Sequence, residues 1–186
     1  MTFTMKVGRI AGRRFALCCL LALALAQPRA TAAAARGLST EDRIAAAFIF
    51  NFCKVVTWPI ARTDTLTLAV IGDDGAAAAL QELDGRSFGG GRLRVLGRAD
   101  DGALLDCDLL YVTPGSGGAL DSILARAESR PILTVSSTDE FCERGGMIQL
   151  VNNRGKIRLL INVRRAQAAN LTISSQLLKM ATIIEE

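Results

Sequence analysis

Three short apolar runs constrain this chain more than anything else in it: Thr65–Ile71 (TLTLAVI), Asp108–Val112 (DLLYV) and Ile132–Val135 (ILTV). Runs this short and this apolar suit strands buried on both faces, as in a parallel sheet. Helical stretches separate them, over Ala76 to Leu83 and Leu120 to Ala127, and a further strand, Arg92 to Leu96, follows the glycines Gly89-Gly90-Gly91. Strand and helix in alternation predict a three-layer α/β domain with a mostly parallel sheet.

A longer helix precedes these units. Ser39 stands three residues before Asp42, close to a capping box, and predicts a helix from about Thr40 to Val56, ended by the Trp58-Pro59 step. Ile44, Phe48, Phe52 and Val55 fall on one face, while Ile49, Phe50, Cys53 and Val56 occupy the others. A helix apolar nearly all round is buried on more than one side, between the sheet and further helices or a second subunit. After the last parallel strand, Asp139 to Arg144 reads as a short helix closed by Gly145-Gly146. Met147–Val151 and Lys156–Asn162 flank the turn Asn152-Asn153-Arg154-Gly155, which predicts an antiparallel hairpin at the edge of the sheet. A polar-faced segment, Val163 to Asn170, and a final helix, Ser174 to Ile184, complete the reading.

The 186 residues suit one domain, and a hydrophobic fraction of 50% is too high for disorder. The chain has no histidine, which excludes Ser-His-Asp and Cys-His relays, His-ligated zinc and a histidine pH switch. The net charge of +4 belongs to the first 26 residues, where Lys6, Arg9, Arg13 and Arg14 stand without an acid. Removing those four from the 22 basic residues leaves 18 against 18 acids, so the remainder has no overall electrostatic attraction for nucleic acid. The same segment has the parts of a secretory signal: a basic stretch, the apolar run Phe15–Ala26, and Ala24-Leu25-Ala26 as a cleavage site, with a second candidate as late as Ala35. Its apolar run would span about 18 Å as helix, short of the roughly 30 Å of a bilayer core. A cleaved signal over 1–26, a flexible start over 27–38 and a single domain over 39–186 are expected, in the periplasm.

Candidate chemistry is sparse. The loops Ile71-Gly72-Asp73-Asp74-Gly75 and Thr113-Pro114-Gly115-Ser116-Gly117-Gly118 sit at the C-terminal ends of strands, where open α/β sheets bind ligands. Asp73 would suit a cation or a ribose hydroxyl, and the amides around Gly115 and Ser116 an anion; each stretch also reads as an ordinary turn. Asp106 and Asp108 flank Cys107 like a carboxylate pair, but no third metal ligand is evident. Trp58 suits a stacked ring or an interface, and Arg164-Arg165 a carboxylate or a solvated pair. No metal or other cofactor is expected. Cys53, Cys107 and Cys142 are the cysteines outside the leader; three thiols cannot all pair within one chain, and no C-x-x-C exists.

Seven segments in order resemble the YfiR family of small periplasmic proteins. They are Phe48 to Pro59, Ala69 to Asp73, Cys107 to Val112, Pro131 to Val135, Phe141 to Ile148 (FCERGGMI), Ile157 to Asn162 and Ile173 to Lys179. The resemblance implies a Rossmann-like core and a non-enzymatic, dimeric repressor. Such a protein binds the periplasmic region of an inner-membrane diguanylate cyclase, lowers cyclic-di-GMP, and is sequestered by an outer-membrane lipoprotein. It also implies partner-binding positions at Ile148, Leu160 and Ala166. Some relatives pair cysteines through positions that here hold Ala69 and Gln149, so those bridges are absent; no disulfide is expected to be needed for folding, and Cys107 with Cys142 is the candidate pair if one forms. A periplasmic small-ligand binding protein, using Asp73, Gly115 and Ser116, is the alternative.

Overall fold

The computed structural model describes residues 38–59, 64–72, 74–97 and 106–185. The leader, all of the 27–38 start except Leu38, and Asp73 lie outside the described residues. Ser39 caps the first helix, α1 (Thr40–Val55): its hydroxyl accepts from the Asp42 N–H at 3.0 Å, and the Asp42 carboxylate accepts from the Ser39 N–H at 3.0 Å. This reciprocal box satisfies two of the amide groups that a helix start leaves without partners.

The elements after α1 follow in the predicted alternation. They are β1 (Val56–Thr57), β2 (Thr65–Ile71), α2 (Gly75–Gln81), β3 (Ser87–Phe88), β4 (Gly91–Leu96), β5 (Leu109–Val112), α3 (Leu120–Ala127) and β6 (Leu133–Ser136). Then come β7 (Ile148–Asn153), β8 (Lys156–Asn162), α4 (Val163–Ala168), β9 (Thr172–Ile173), α5 (Ser175–Lys179) and β10 (Thr182–Ile184). The eight-stranded sheet has the order β10-β8-β7-β6-β5-β2-β4-β3, and β1 pairs separately with β9. Pairings β2–β4, β2–β5, β5–β6 and β6–β7 are parallel. The β7–β8 hairpin is antiparallel, with Ile148 opposite Ile161.

The central strands are buried on both faces because helices cover both. Leu109 and Tyr111 of β5 point into the cluster built on α1 and α2, while Leu110 and Val112 point into a second cluster with Leu120, Ile123 and Leu124 of α3. At about 25 cal/mol per Å² of apolar surface, this double burial is the main stabilising term of the domain.

Four expectations are corrected. The hairpin is not at the sheet edge, because β10 pairs with β8 in parallel, Thr182 opposite Leu160. The final helix accordingly stops at Lys179: Thr182-Ile183-Ile184 is β-branched, and extended backbone satisfies the free side of β8. Asp139 to Arg144 forms consecutive turns instead of a helix; Glu140 takes a positive φ of 57°, and the Phe141 ring fills the space a Cβ on Gly146 would need. On α1 the inward face is Ala45, Ala46, Ile49, Phe52 and Cys53, continued by Val56, whereas Ile44, Phe48 and Val55 are half-exposed. Apolar spacing defines both stripes; the alanines let one of them approach the sheet closely.

Cys53, Cys107 and Cys142 are buried and carry no disulfide: Cys107 packs in the α3 cluster, and the Cys142 thiol faces the carbonyls of Met147 and Leu160 at 3.7 and 3.5 Å. Loss of a structural disulfide costs about 2–5 kcal/mol, and 1 kcal/mol moves the Tm of a domain this size by about 2–4 °C. Adding reductant should therefore leave Tm unchanged; a fall of more than about 10 °C would show a bridge supporting the fold.

Candidate functional site

Among the described residues, the loops that leave β2 and β5 close on each other. Gly72 ends β2 with a φ of 96°, and a Cβ there would overlap the Thr113 hydroxyl and crowd Ser116. The Thr113 and Ser116 hydroxyls stand 3.4 Å apart, and the Ser116 hydroxyl donates to the Ile71 carbonyl at 3.5 Å. Residues Pro114–Ala119 wind into a 3₁₀ turn that leads into α3, with Gly115 exposed. Asp74 is the N-cap of α2, accepting from the Ala77 N–H at 2.8 Å. The two glycine-containing loops thus hold each other, and the hydroxyl of Ser116 is spent on the backbone of β2.

A separate cleft of about 290 Å³ opens beside these ends on the α1 side, lined by Glu41, Asp74, Tyr111, Ser137, Asp139 and Leu150 among others. Burial pushes the Tyr111 hydroxyl up to about 12, against a weaker lowering by its contact with Ser137 at 3.3 Å. Burial likewise pushes the Cys53 thiol up to about 12. Neither group ionises near neutral pH, which suits packing rather than proton transfer or nucleophilic attack.

The remaining sequence candidates are structural. Asp108 is buried, and its carboxylate accepts from the Thr67 N–H at 2.8 Å, while Asp106 is exposed, so the two do not act as a pair. No three Cys, Asp or Glu side chains converge to hold a metal among the described residues. Trp58 donates through its indole N–H to the Asp108 carbonyl at 3.1 Å. Arg165 pairs with Glu128 at 2.9 Å, and Arg164 is exposed.

The three partner-binding positions do not form one surface. Ile148 is 0% exposed, because its side of β7 faces α1, and Ala166 is 1% exposed, packed in that same core. Only Leu160 reaches solvent, on the opposite face of β8. The expected apolar patch around all three is corrected accordingly: covering of the hairpin by α1 is a tertiary event invisible in a linear pattern. Sequence reasoning passed over a different cluster. Phe50 on α1 carries Lys54 Nζ at 4.8 Å and the Arg86 guanidinium at 5.0 Å from its ring centroid. The i, i+4 spacing of Phe50 and Lys54 was a usable signal; the approach of Arg86 from the next unit was not.

The parallel strand order and the crossover helices define an α/β domain with a central, mostly parallel sheet. The family model described as DUF4154, YfiR/HmsC-like, matches residues 42–182, and the chain belongs to that family. Its members are periplasmic regulators of cyclic-di-GMP signalling rather than enzymes. No curated protein matches the sequence. The fold is similar to that of a conserved domain protein from Vibrio cholerae O1 biovar El Tor, with TM-score 0.52 and 14% identity over 76% of this chain and 60% of that one. It is also similar to an ABC domain from Streptococcus pneumonia solved in complex with L-Trp, with TM-score 0.50 and 12% identity over 75% of this chain and 60% of that one. The chain thus spans less than two thirds of either structure, and the likeness is one of fold.

Two outcomes follow. Gly72→Ala should lower stability by about 2 kcal/mol or more, through its positive φ and the overlap with Thr113, measured as a fall in urea midpoint. Alkali should also destabilise. The folded state keeps the Cys53 and Tyr111 protons above the ordinary values of 9.0 and 10.0, so stability is full below pH 9 and declines as pH rises toward about 12. Denaturation midpoints across pH 8 to 11 should fall, and Cys53→Ala with Tyr111→Phe should flatten that slope.

Proposed function

We propose that the protein is a periplasmic repressor that binds the periplasmic region of a membrane-bound diguanylate cyclase and lowers cyclic-di-GMP. The observation that supports this reading is the family match across residues 42–182, nearly the whole α/β domain. No helix among the described residues is long and apolar enough to cross a membrane, which accords with a partner supplying the membrane segment. A homodimer and an outer-membrane lipoprotein that sequesters the repressor belong to the same proposal. Leu160 is the position of the three through which a partner makes side-chain contact, since Ile148 and Ala166 are enclosed. The small-ligand alternative loses support from the loops it relied on, which Thr113, Ser116 and Gly72 close.

Repression requires tighter binding to the inactive cyclase than to the active one. Reversing a 99:1 active excess takes about 5.5 kcal/mol of differential affinity. Surface ion pairs contribute only about 0–1 kcal/mol each, so apolar contact must carry much of it.

Deleting the gene should raise cyclic-di-GMP and surface attachment, and the wild-type gene should restore both to their low levels. A Leu160→Asp protein should accumulate normally yet restore neither. Ile148→Asp should instead lose the protein itself, because it places an unpaired charge in the core. Unchanged cyclic-di-GMP on deletion, in cells that make the protein and a diguanylate cyclase, overturns the repressor reading.

A further inference from the structure

The outer face of α1 carries two adjoining depressions. One, of about 360 Å³, runs between α1 and α2, floored by Ala46 and Ala79 and walled by Phe50. The other, of about 250 Å³, lies against Ile44 and Phe48. The low ridge between them is formed by Ala47 and Asn51, which line both. Small side chains along the ridge and floor let a second backbone come close.

The charge around this face is one-sided. Arg43, Lys54 and Arg86 border the larger depression, against one acid, Glu82. None of the three cations has a carboxylate partner within ion-pair distance among the described residues. Arg144 and Arg165, by contrast, are paired with Asp121 and Glu128 at 2.7 and 2.9 Å. Lys54 and Arg86 lean over the Phe50 ring, and Lys54 donates to the Asn51 side-chain Oδ1 at 3.3 Å, so the cations are gathered at the groove without being neutralised.

We propose that this face docks an acidic amphipathic helix of another protein, its apolar side on the alanine floor and its carboxylates on Arg43, Lys54 and Arg86. Helix-in-groove recognition uses such a recessed apolar floor, and complementary charge sets partner choice and register. A second copy of this chain fits poorly. Arg43 and Lys54 are eleven residues apart, about three helical turns, and so share one side of α1 at opposite ends. Parallel pairing across the face would set each cation against itself, and antiparallel pairing would set Arg43 near Lys54. A flat lipid surface would meet only the rim and leave the floor empty. The face lies across the sheet from Leu160, so this docking does not depend on the repressor reading.

The test uses the full chain in its own host, with the photo-crosslinking residue p-benzoylphenylalanine in place of Asn51. Irradiation should give one discrete adduct with a different protein. After digestion, its contact peptide should carry Asp or Glu beside apolar residues at helical spacing. Adding Arg43→Glu, Lys54→Glu and Arg86→Glu should cut adduct yield at least tenfold while Tm and abundance hold; if that variant fails to fold, the milder set Arg43→Gln, Lys54→Gln and Arg86→Gln should cut it several-fold. The proposal is overturned by absence of an adduct, by an adduct of two copies of this chain, by a contact peptide without acidic residues, or by an adduct insensitive to both charge sets.

Discussion

Asp108 joins β5 to β2 and β6 and to the segment that follows α1. Its N–H donates to the Thr67 carbonyl at 2.8 Å and its carboxylate accepts from the Thr67 N–H at 2.8 Å, locking β5 to β2. Its carbonyl accepts both the Leu133 N–H at 2.8 Å, which starts β6, and the Trp58 indole, which anchors the chain leaving α1. A buried polar residue costs stability unless its groups are partnered, and here those partners are Thr67 in β2, Leu133 at the start of β6 and Trp58 just beyond β1. The register of the parallel sheet, and with it the burial of Tyr111 and Leu110 on opposite faces, follows from that junction.

The same economy explains why the strand ends make a poor catalytic centre. Open parallel sheets bind ligands where loops diverge and leave a crevice. In this protein the loops after β2 and β5 converge: Gly72 removes a side chain so that Thr113 can lie against it, and Ser116 closes on the β2 carbonyl. Surface for recognition is found elsewhere, on the half-exposed stripe of α1 and on the outer face of β8 around Leu160.

Paired and unpaired arginines divide the surface by role. Arg144 and Arg165 tie the turn before β7 and the start of α4 to the α3 region, through Asp121 and Glu128. Such exposed pairs contribute little energy but fix position. Arg43, Lys54 and Arg86 make no ion pair among the described residues; Lys54 and Arg86 lie instead over the Phe50 ring. The difference is one of topology, since β2, α2 and the turn after it bring Arg86 beside a helix that ended some thirty residues earlier.

Much was legible in the linear chain. The strand over Thr65–Ile71, the α3 helix over Leu120–Ala127 and the Ser39 cap depend on spacing within one element, and local physics decides them. The family resemblance was legible for the same reason, as ordered short motifs. What only the tertiary structure decided depends on neighbours far away in sequence. Which of two apolar stripes on α1 faces inward was decided by how closely Ala45 and Ala46 let the helix approach the sheet. Whether Thr182–Ile184 is helix or strand was decided by the open side of β8. That Ile148 is enclosed while Leu160 is not was decided by α1 covering one face of the hairpin, because alternation assigns residues to two faces but cannot say which face another element will bury.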